Sequence, residues 1–243
     1  MELILKEEEI QLSVSPKFFM GQTEITPTEW KKSLDLMLKV CTEQRCEPNV
    51  FCLATHYLNM CLISMSVDIK KNQLQLFAFV CLNLASKLTD ISPIKLCCLR
   101  LYNHIYNHYS ITEEDMNVCE DQILSKMNWK LKKVITPLTF HTRLLKMLSL
   151  PNKKVEELSK RTEKIINRSQ YDFKIICRKP SQIAAAAIIM VYEKTEPELS
   201  DARKKLQDLI NVDSTTFFYV CNELYEAIEN WKQNRARQQW FKS

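Results

Sequence analysis

Residues 77–88 read FAFVCLNLASKL, and residues 183–193 read IAAAAIIMVYE. Both stretches are apolar almost all round and rich in small side chains. A helix without a polar face has to lie in the middle of a bundle. Small side chains along it let its neighbours approach closely. Ala184 follows Ala78 by 106 residues, so the chain reads as a weak internal duplication, carried by residue type more than by letters.

Helix starts recur around each of these stretches. Thr26-Pro27-Thr28-Glu29 reads as a capping box, with Pro27 where no amide donor is needed. Trp30, Leu34, Met37, Leu38 and Cys41 then fall at helical spacing, as do Val50, Leu53, Ala54, Tyr57, Leu58 and Cys61. Ser92-Pro93 is expected to open a fourth helix through LCCLRLY. Thr112-Glu113-Glu114-Asp115 opens a fifth, with Met116, Cys119, Ile123 and Met127 inward. The pattern restarts at Thr136-Pro137, with Phe140, Leu144 and Leu148. Leu158, Thr162, Ile165 and Ser169 follow, then Pro180-Ser181, a segment near 201–210, and finally Phe217, Val220, Cys221, Leu224, Ile228 and Trp231. The expected fold is all-α: two tandem bundles of about five helices each. The expected boundaries are an arm at 1–24, bundles at 25–133 and 134–232, and a basic tail at 233–243.

Composition narrows the function. Gly21 is the single glycine among 243 residues. Glycine-rich phosphate loops and tight hairpins need several positions where only glycine fits, so nucleotide-binding turns and all-β folds are excluded. A formal charge of +5 is mild, and only KQNRARQQWFKS at residues 232–243 is clearly basic. Direct nucleic-acid binding is not expected, since phosphate contacts dominate such affinities. The ten cysteines include no CxxC and sit mostly in apolar runs, where free cysteine acts as a small hydrophobe. That usage, with an acidic N-terminus, reads as a reducing compartment. The longest apolar run, Ile183 to Tyr192, is too short to span a bilayer.

Two repeats around alanine-bearing central helices resemble the paired cyclin-box fold. CTEQRCEPNVFCLATHYLNMCL, LASKL, EDQILSKMNWKL and TPLTF are similar to the D-type branch of the cyclin family, and the resemblance covers about Glu29 to Trp231. It implies a regulatory subunit that binds and activates a cyclin-dependent kinase in G1-type cell-cycle control and is not itself an enzyme. The kinase is expected to belong to the D-cyclin-partner class, in the nucleus and cytoplasm, with no cofactor or metal. The family's paired lysine and glutamate, which bind backbone around the kinase C helix, correspond to Lys87 and Glu120. Leu88, Leu124 and Trp129 correspond to the apolar surface around them, and a family leucine of the central helix is kept as Leu76.

The departures point to a divergent member; a virus-encoded homologue and a rapidly evolving animal one both fit. A family arginine corresponds to Trp30 and its buried aspartate partner to Asn59. Changing both members of a buried ion pair can be close to neutral, whereas changing one is costly. The outward apolar positions of the family's docking groove become Glu29, Lys32 and Ser33, and its tryptophan becomes Leu36. Charges in a groove that buries leucine side chains weaken docking, so docking-motif inhibitors are expected to bind weakly. The Leu-x-Cys-x-Glu motif and the acidic, proline-rich tail of D-type cyclins are absent. Lys87 to Glu120 is longer than the family spacing by about four residues, placed in HIYNHYS at 104–110.

Cys97, Cys98, His104 and His108 carry zinc-ligand side chains, but adjacent residues point about 100° apart on a helix, which favours core cysteines and surface histidines. Carboxylates cluster at helix starts, where capping explains them, and His141 stands outside any catalytic motif. A nucleic-acid-binding protein of the same fold would want a zinc ribbon and a basic groove. A scaffold that binds a kinase without activating it remains the alternative.

Overall fold

Lys71–Thr89 is the helix around which the first half of the chain is assembled, and eleven of its residues are buried, including Phe77, Ala78, Phe79, Cys81, Leu82 and Ala85. The structure, a computed structural model, describes residues 24–64, 69–107, 111–129, 131, 134–195 and 200–240, with residues 1, 4–6 and 8. The regular elements among these residues are helices, as expected from the spacing. The chain divides into two compact units, 14–134 and 1–13 with 135–243.

The first unit contains α1 (Pro27–Glu43), α2 (Pro48–Ser64), α3 (Lys71–Thr89), α4 (Leu96–Asn107) and α5 (Glu113–Lys126). α3 packs against α1, α2, α4 and α5. Trp30, Leu34 and Met37 of α1 and Val50, Ala54, Tyr57 and Leu58 of α2 are fully buried. Tyr57 keeps its hydroxyl satisfied by donating to the Leu131 carbonyl at 3.0 Å, which a buried phenol requires.

The second unit contains α6 (Pro137–Met147), α7 (Asn152–Ser169), the short α8 (Phe173–Ile176), α9 (Pro180–Thr195), α10 (Ser200–Ile210) and α11 (Ser214–Trp240). α9 packs against α6, α7, α10 and α11, so it holds the place in this unit that α3 holds in the other. Ala184, Ala185 and Ala187 are fully buried. A larger side chain there would overpack the bundle, at about 1–3 kcal/mol. Arg178 donates from Nε and one terminal nitrogen to the two oxygens of Glu223, at 2.8 and 2.7 Å, tying the residues before α9 to α11. Glu8 caps the start of α9: its carboxylate accepts from the Ser181 amide at 2.6 Å and the Ser181 hydroxyl at 2.7 Å.

Local details differ from the sequence reading at four places. Thr26 Oγ1 accepts from the Glu29 amide at 3.3 Å, but the Glu29 carboxylate pairs with Lys71 at 3.0 Å, so the capping box is half formed. Ser92-Pro93 does not open α4, which begins at Leu96. The intervening turn is clipped to α3 instead: Asn83 Nδ2 donates to the Ile94 carbonyl at 2.8 Å and the Ile94 amide to Ser86 Oγ at 3.1 Å. On α7 the buried residue is Ile166, with Ile165 half-buried. Ser33 is buried rather than outward, its hydroxyl donating to the Glu29 carbonyl at 3.2 Å.

Candidate functional site

The end of α3 and the middle of α5 place Lys87 and Glu120 together. Lys87 lies in the last turn of α3, where a cation suits the carbonyl end of the dipole. Glu120 lies mid-way along α5. α5 is opened by the reciprocal box at Thr112, whose hydroxyl accepts from the Asp115 amide at 3.1 Å while Asp115 accepts from the Thr112 amide at 2.9 Å. α5 packs on α3 through buried Met116, Cys119 and Ile123. Burial pushes the Cys119 thiol up to about 12, so the residue beside Glu120 is packing and not chemistry.

The result is a two-pronged ion pair, with Lys87 Nζ at 2.7 Å from Glu120 Oε1 and 2.8 Å from Oε2. The lysine side chain is 43% exposed and the glutamate 19%, so water still reaches the pair. In isolation such a pair contributes at most about 1 kcal/mol. Its geometry leaves one ammonium hydrogen and a lone pair on each carboxylate oxygen. A partner's backbone carbonyl and amides fit those three positions, and a charge-assisted bond strengthens once water is displaced.

Trp129 owes its position to the way α5 ends. The Trp129 amide donates to the Leu124 carbonyl at 3.0 Å and the Asn128 amide to the Ser125 carbonyl at 3.1 Å, with Asn128 and Trp129 at φ 48° and 58°. This is the Schellman closure, and the residues at the two ends of its longer bond are Leu124 and Trp129. A bulky residue with positive φ costs about 1–2 kcal/mol. The strained indole nevertheless stays 69% exposed. Leu88 is half-buried beside Lys87, and Leu124 is buried. Ile91, in the loop after α3, is fully exposed. The sequence reading did not single it out, because a lone isoleucine in a loop carries no periodic signal. An exposed indole and an exposed isoleucine are the kind of apolar side chains that interaction surfaces use.

Residues 2–132 match the model of the cyclin N-terminal domain and residues 135–243 that of the cyclin C-terminal domain. The chain belongs to the cyclin family. This cyclin is 34% identical to G1/S-specific cyclin-D3 of Bos taurus over 77% of its length and 62% of the relative's. It is 32% identical to G1/S-specific cyclin-D2 of Gallus gallus over 97% of its length and 81% of the relative's. Among solved structures, a viral cyclin from herpesvirus saimiri superposes with a TM-score of 0.83 at 17% identity, over 95% of this cyclin and 96% of that chain. A chain of the CAK complex from Chaetomium thermophilum bound to ATP-γ-S superposes at 0.56 and 13% identity, covering 98% of this cyclin and 77% of that chain.

At the two substituted family positions, the Trp30 indole N–H donates to Asn59 Oδ1 at 2.9 Å, and both residues are buried. A neutral hydrogen bond stands where the resemblance implies an ion pair, so neither partner is left as an uncompensated charge. Leu76, the family leucine kept in the central helix, is half-buried on α3. Around the expected docking groove, Glu29 and Leu36 are half-buried and Lys32 is exposed.

The rival clusters are placed as follows. Cys97 and His104 are exposed and Cys98 is half-buried; His108 and the segment 108–110 lie outside the described residues. No group of three or more metal-type side chains converges among the described residues. No helix there is long and apolar enough to cross a membrane. His141 is buried on α6 with Nδ1 donating to the Leu138 carbonyl at 2.8 Å, and Nε2 lies 2.9 Å from Ser159 Oγ and 3.3 Å from Glu163 Oε1. Ser159 Oγ donates to Glu163 Oε1 at 3.0 Å, so the ring, the hydroxyl and the carboxylate form one polar cluster that ties α6 to α7. The His141 bond holds the Glu163 carboxyl below its usual range.

Proposed function

We propose that this cyclin is the regulatory subunit of a serine/threonine protein kinase. It binds a cyclin-dependent kinase of the D-cyclin-partner class and activates it in G1-type control. Cyclin family members are regulatory subunits and not enzymes, and the D-type relatives support the class of partner. The observation that carries the reading is the bidentate Lys87–Glu120 pair, with Leu88 next along α3, Leu124 one turn further along α5 and the exposed Trp129 in the turn that closes α5. Kinase activity requires the C-helix glutamate to reach the nucleotide-binding lysine. A rigid surface that binds this arrangement more tightly than the inactive one shifts the equilibrium by that difference. The cyclin contributes binding free energy and no chemical group. The ten cysteines, free in the structure, fit a reducing compartment, and the subunit acts in the nucleus and cytoplasm.

The test is to mix purified chain with such a kinase and measure complex formation and phosphorylation of a peptide substrate. Binding with a rise in activity is expected. Binding with no rise identifies a non-activating scaffold, and absence of binding overturns the kinase assignment.

A further inference from the structure

The turn that ends α1 repeats the closure that ends α5. The Cys46 amide donates to the Cys41 carbonyl at 3.0 Å, the Arg45 amide to the Thr42 carbonyl at 3.3 Å, and Arg45 has φ 53°. A contact between the side chains at the ends of its longer bond frequently accompanies this closure. At α5 the two residues are Leu124 and Trp129; at α1 they are two cysteines. Capping alone needs only an apolar contact, so a thiol at both positions adds a chemical possibility.

The backbone closure sets the two cysteines next to each other at the end of α1. Cys41 is buried and Cys46 half-buried, so Cys46 is the more accessible of the two. Neighbouring Cys41 holds the Cys46 thiol below its ordinary value, against the opposing effects of burial and Asp90. The Cys41 thiol is pushed up by Cys46 and by burial. Burial pushes the thiols of Cys52, Cys119, Cys177 and Cys221 up as well. The thiolate is the nucleophile in exchange. The turn is anchored independently, because the Glu47 amide donates to Asp90 Oδ1 at 2.9 Å.

We propose that Cys41 and Cys46 are a reversible redox pair that closes to a disulfide by exchange with a low-molecular-weight disulfide of the glutathione class. Cys46 loses its proton and attacks one sulfur of the small disulfide. A mixed disulfide forms on Cys46, and the released small thiolate takes up a proton. Cys41 then loses its proton and attacks Cys46 Sγ, expelling the second small thiolate, which is protonated in turn. Two protein thiols are oxidised, one small disulfide is reduced to two thiols, and protons balance. The backbone bond between the two residues already holds them at the ends of one turn.

The full chain is equilibrated in glutathione buffers of graded oxidised-to-reduced ratio, quenched in acid, alkylated and mapped by mass spectrometry. Trypsin cuts after Arg45, so the disulfide reads as a reducible link between the peptides carrying Cys41 and Cys46. The wild-type chain is expected to accumulate that link and little glutathione adduct. Cys41→Ser, or Cys41→Ala to avoid a buried hydroxyl, traps the adduct on Cys46 at roughly tenfold higher occupancy than wild type. Cys46→Ser leaves Cys41 reduced. A persistent adduct on wild-type Cys46 overturns the proposal, as does a Cys41 that remains fully alkylatable in buffers that have glutathionylated exposed Cys97.

Discussion

Replacing Trp30 with phenylalanine tests whether the neutral bond to Asn59 supports the first bundle. The indole donates to Asn59 Oδ1 at 2.9 Å, and both side chains are out of contact with water. Trp30→Phe removes the donor and leaves that acceptor buried, which costs about 1–3 kcal/mol. It also removes part of a fully buried ring, adding about 1–2 kcal/mol for lost packing and residual cavity. The expected destabilisation is therefore about 2–5 kcal/mol. Asn59→Leu orphans the same bond from the other side, and the double variant separates the polar contribution from packing. A coupling of about 1–2 kcal/mol is expected in the cycle. Urea unfolding followed by far-UV circular dichroism gives the energies, and hydrogen exchange in α1 and α2 assigns the loss to the first unit. Additivity of the two changes within about 0.5 kcal/mol would refute the claim that the bond carries stability.

Thr112→Ala removes the cap of α5 and should lower stability by about 1 kcal/mol in the same urea assay, while leaving kinase affinity unchanged. The Thr112 hydroxyl and amide hold the Asp115 carboxyl below its usual value, so the cap's contribution is present above the unfolded carboxyl pKa and is lost as pH falls through the folded one. His56 gives a second pH window: burial lowers its imidazole from 6.5 to about 4. The folded state stays neutral there while the unfolded state takes a proton, so stability is full above 6.5 and declines as pH falls toward 4. The shift sets an upper bound of about 3 kcal/mol, reduced by the ring's partial exposure. Urea midpoints at neutral and mildly acidic pH should therefore converge in His56→Gln and diverge in wild type. Leucine-bearing docking peptides should bind weakly, because the Glu29–Lys71 pair and exposed Lys32 occupy the expected groove; micromolar or tighter binding by calorimetry would contradict this.

The architecture was legible because a helix that is apolar all round has one place to go. FAFVCLNLASKL and IAAAAIIMVYE marked α3 and α9, and the amphipathic helices around them followed from capping residues and spacing. Details decided by tertiary competition were not legible. Glu29 had two partners within reach, its own helix start and Lys71, and the ion pair prevailed. Ser33 follows α1 inward because its hydroxyl bonds back to the Glu29 carbonyl, which removes it from the groove that alignment assigned. Ser92-Pro93 looked like a helix start because nothing local reveals that Asn83 and Ser86 bond the backbone of Ile94 and hold the turn against α3. Lys87 and Glu120 were singled out by resemblance, and their bidentate geometry could come only from coordinates. The positive φ of Trp129 left no trace in the sequence, since glycine usually marks such a turn and here asparagine and tryptophan supply it.

The most direct test of the central claim is the affinity of the kinase for wild type, Lys87→Ala, Glu120→Ala and Thr112→Ala, measured by calorimetry on folded proteins. Each alanine in the pair should strand partner backbone groups at a dried interface and cost about 1–3 kcal/mol, or roughly 5- to 150-fold in affinity, with a matching loss of activation. Thr112→Ala should bind like wild type. If Lys87→Ala and Glu120→Ala both bind and activate as wild type does, the pair is an ordinary surface salt bridge and the kinase contact lies elsewhere on the molecule.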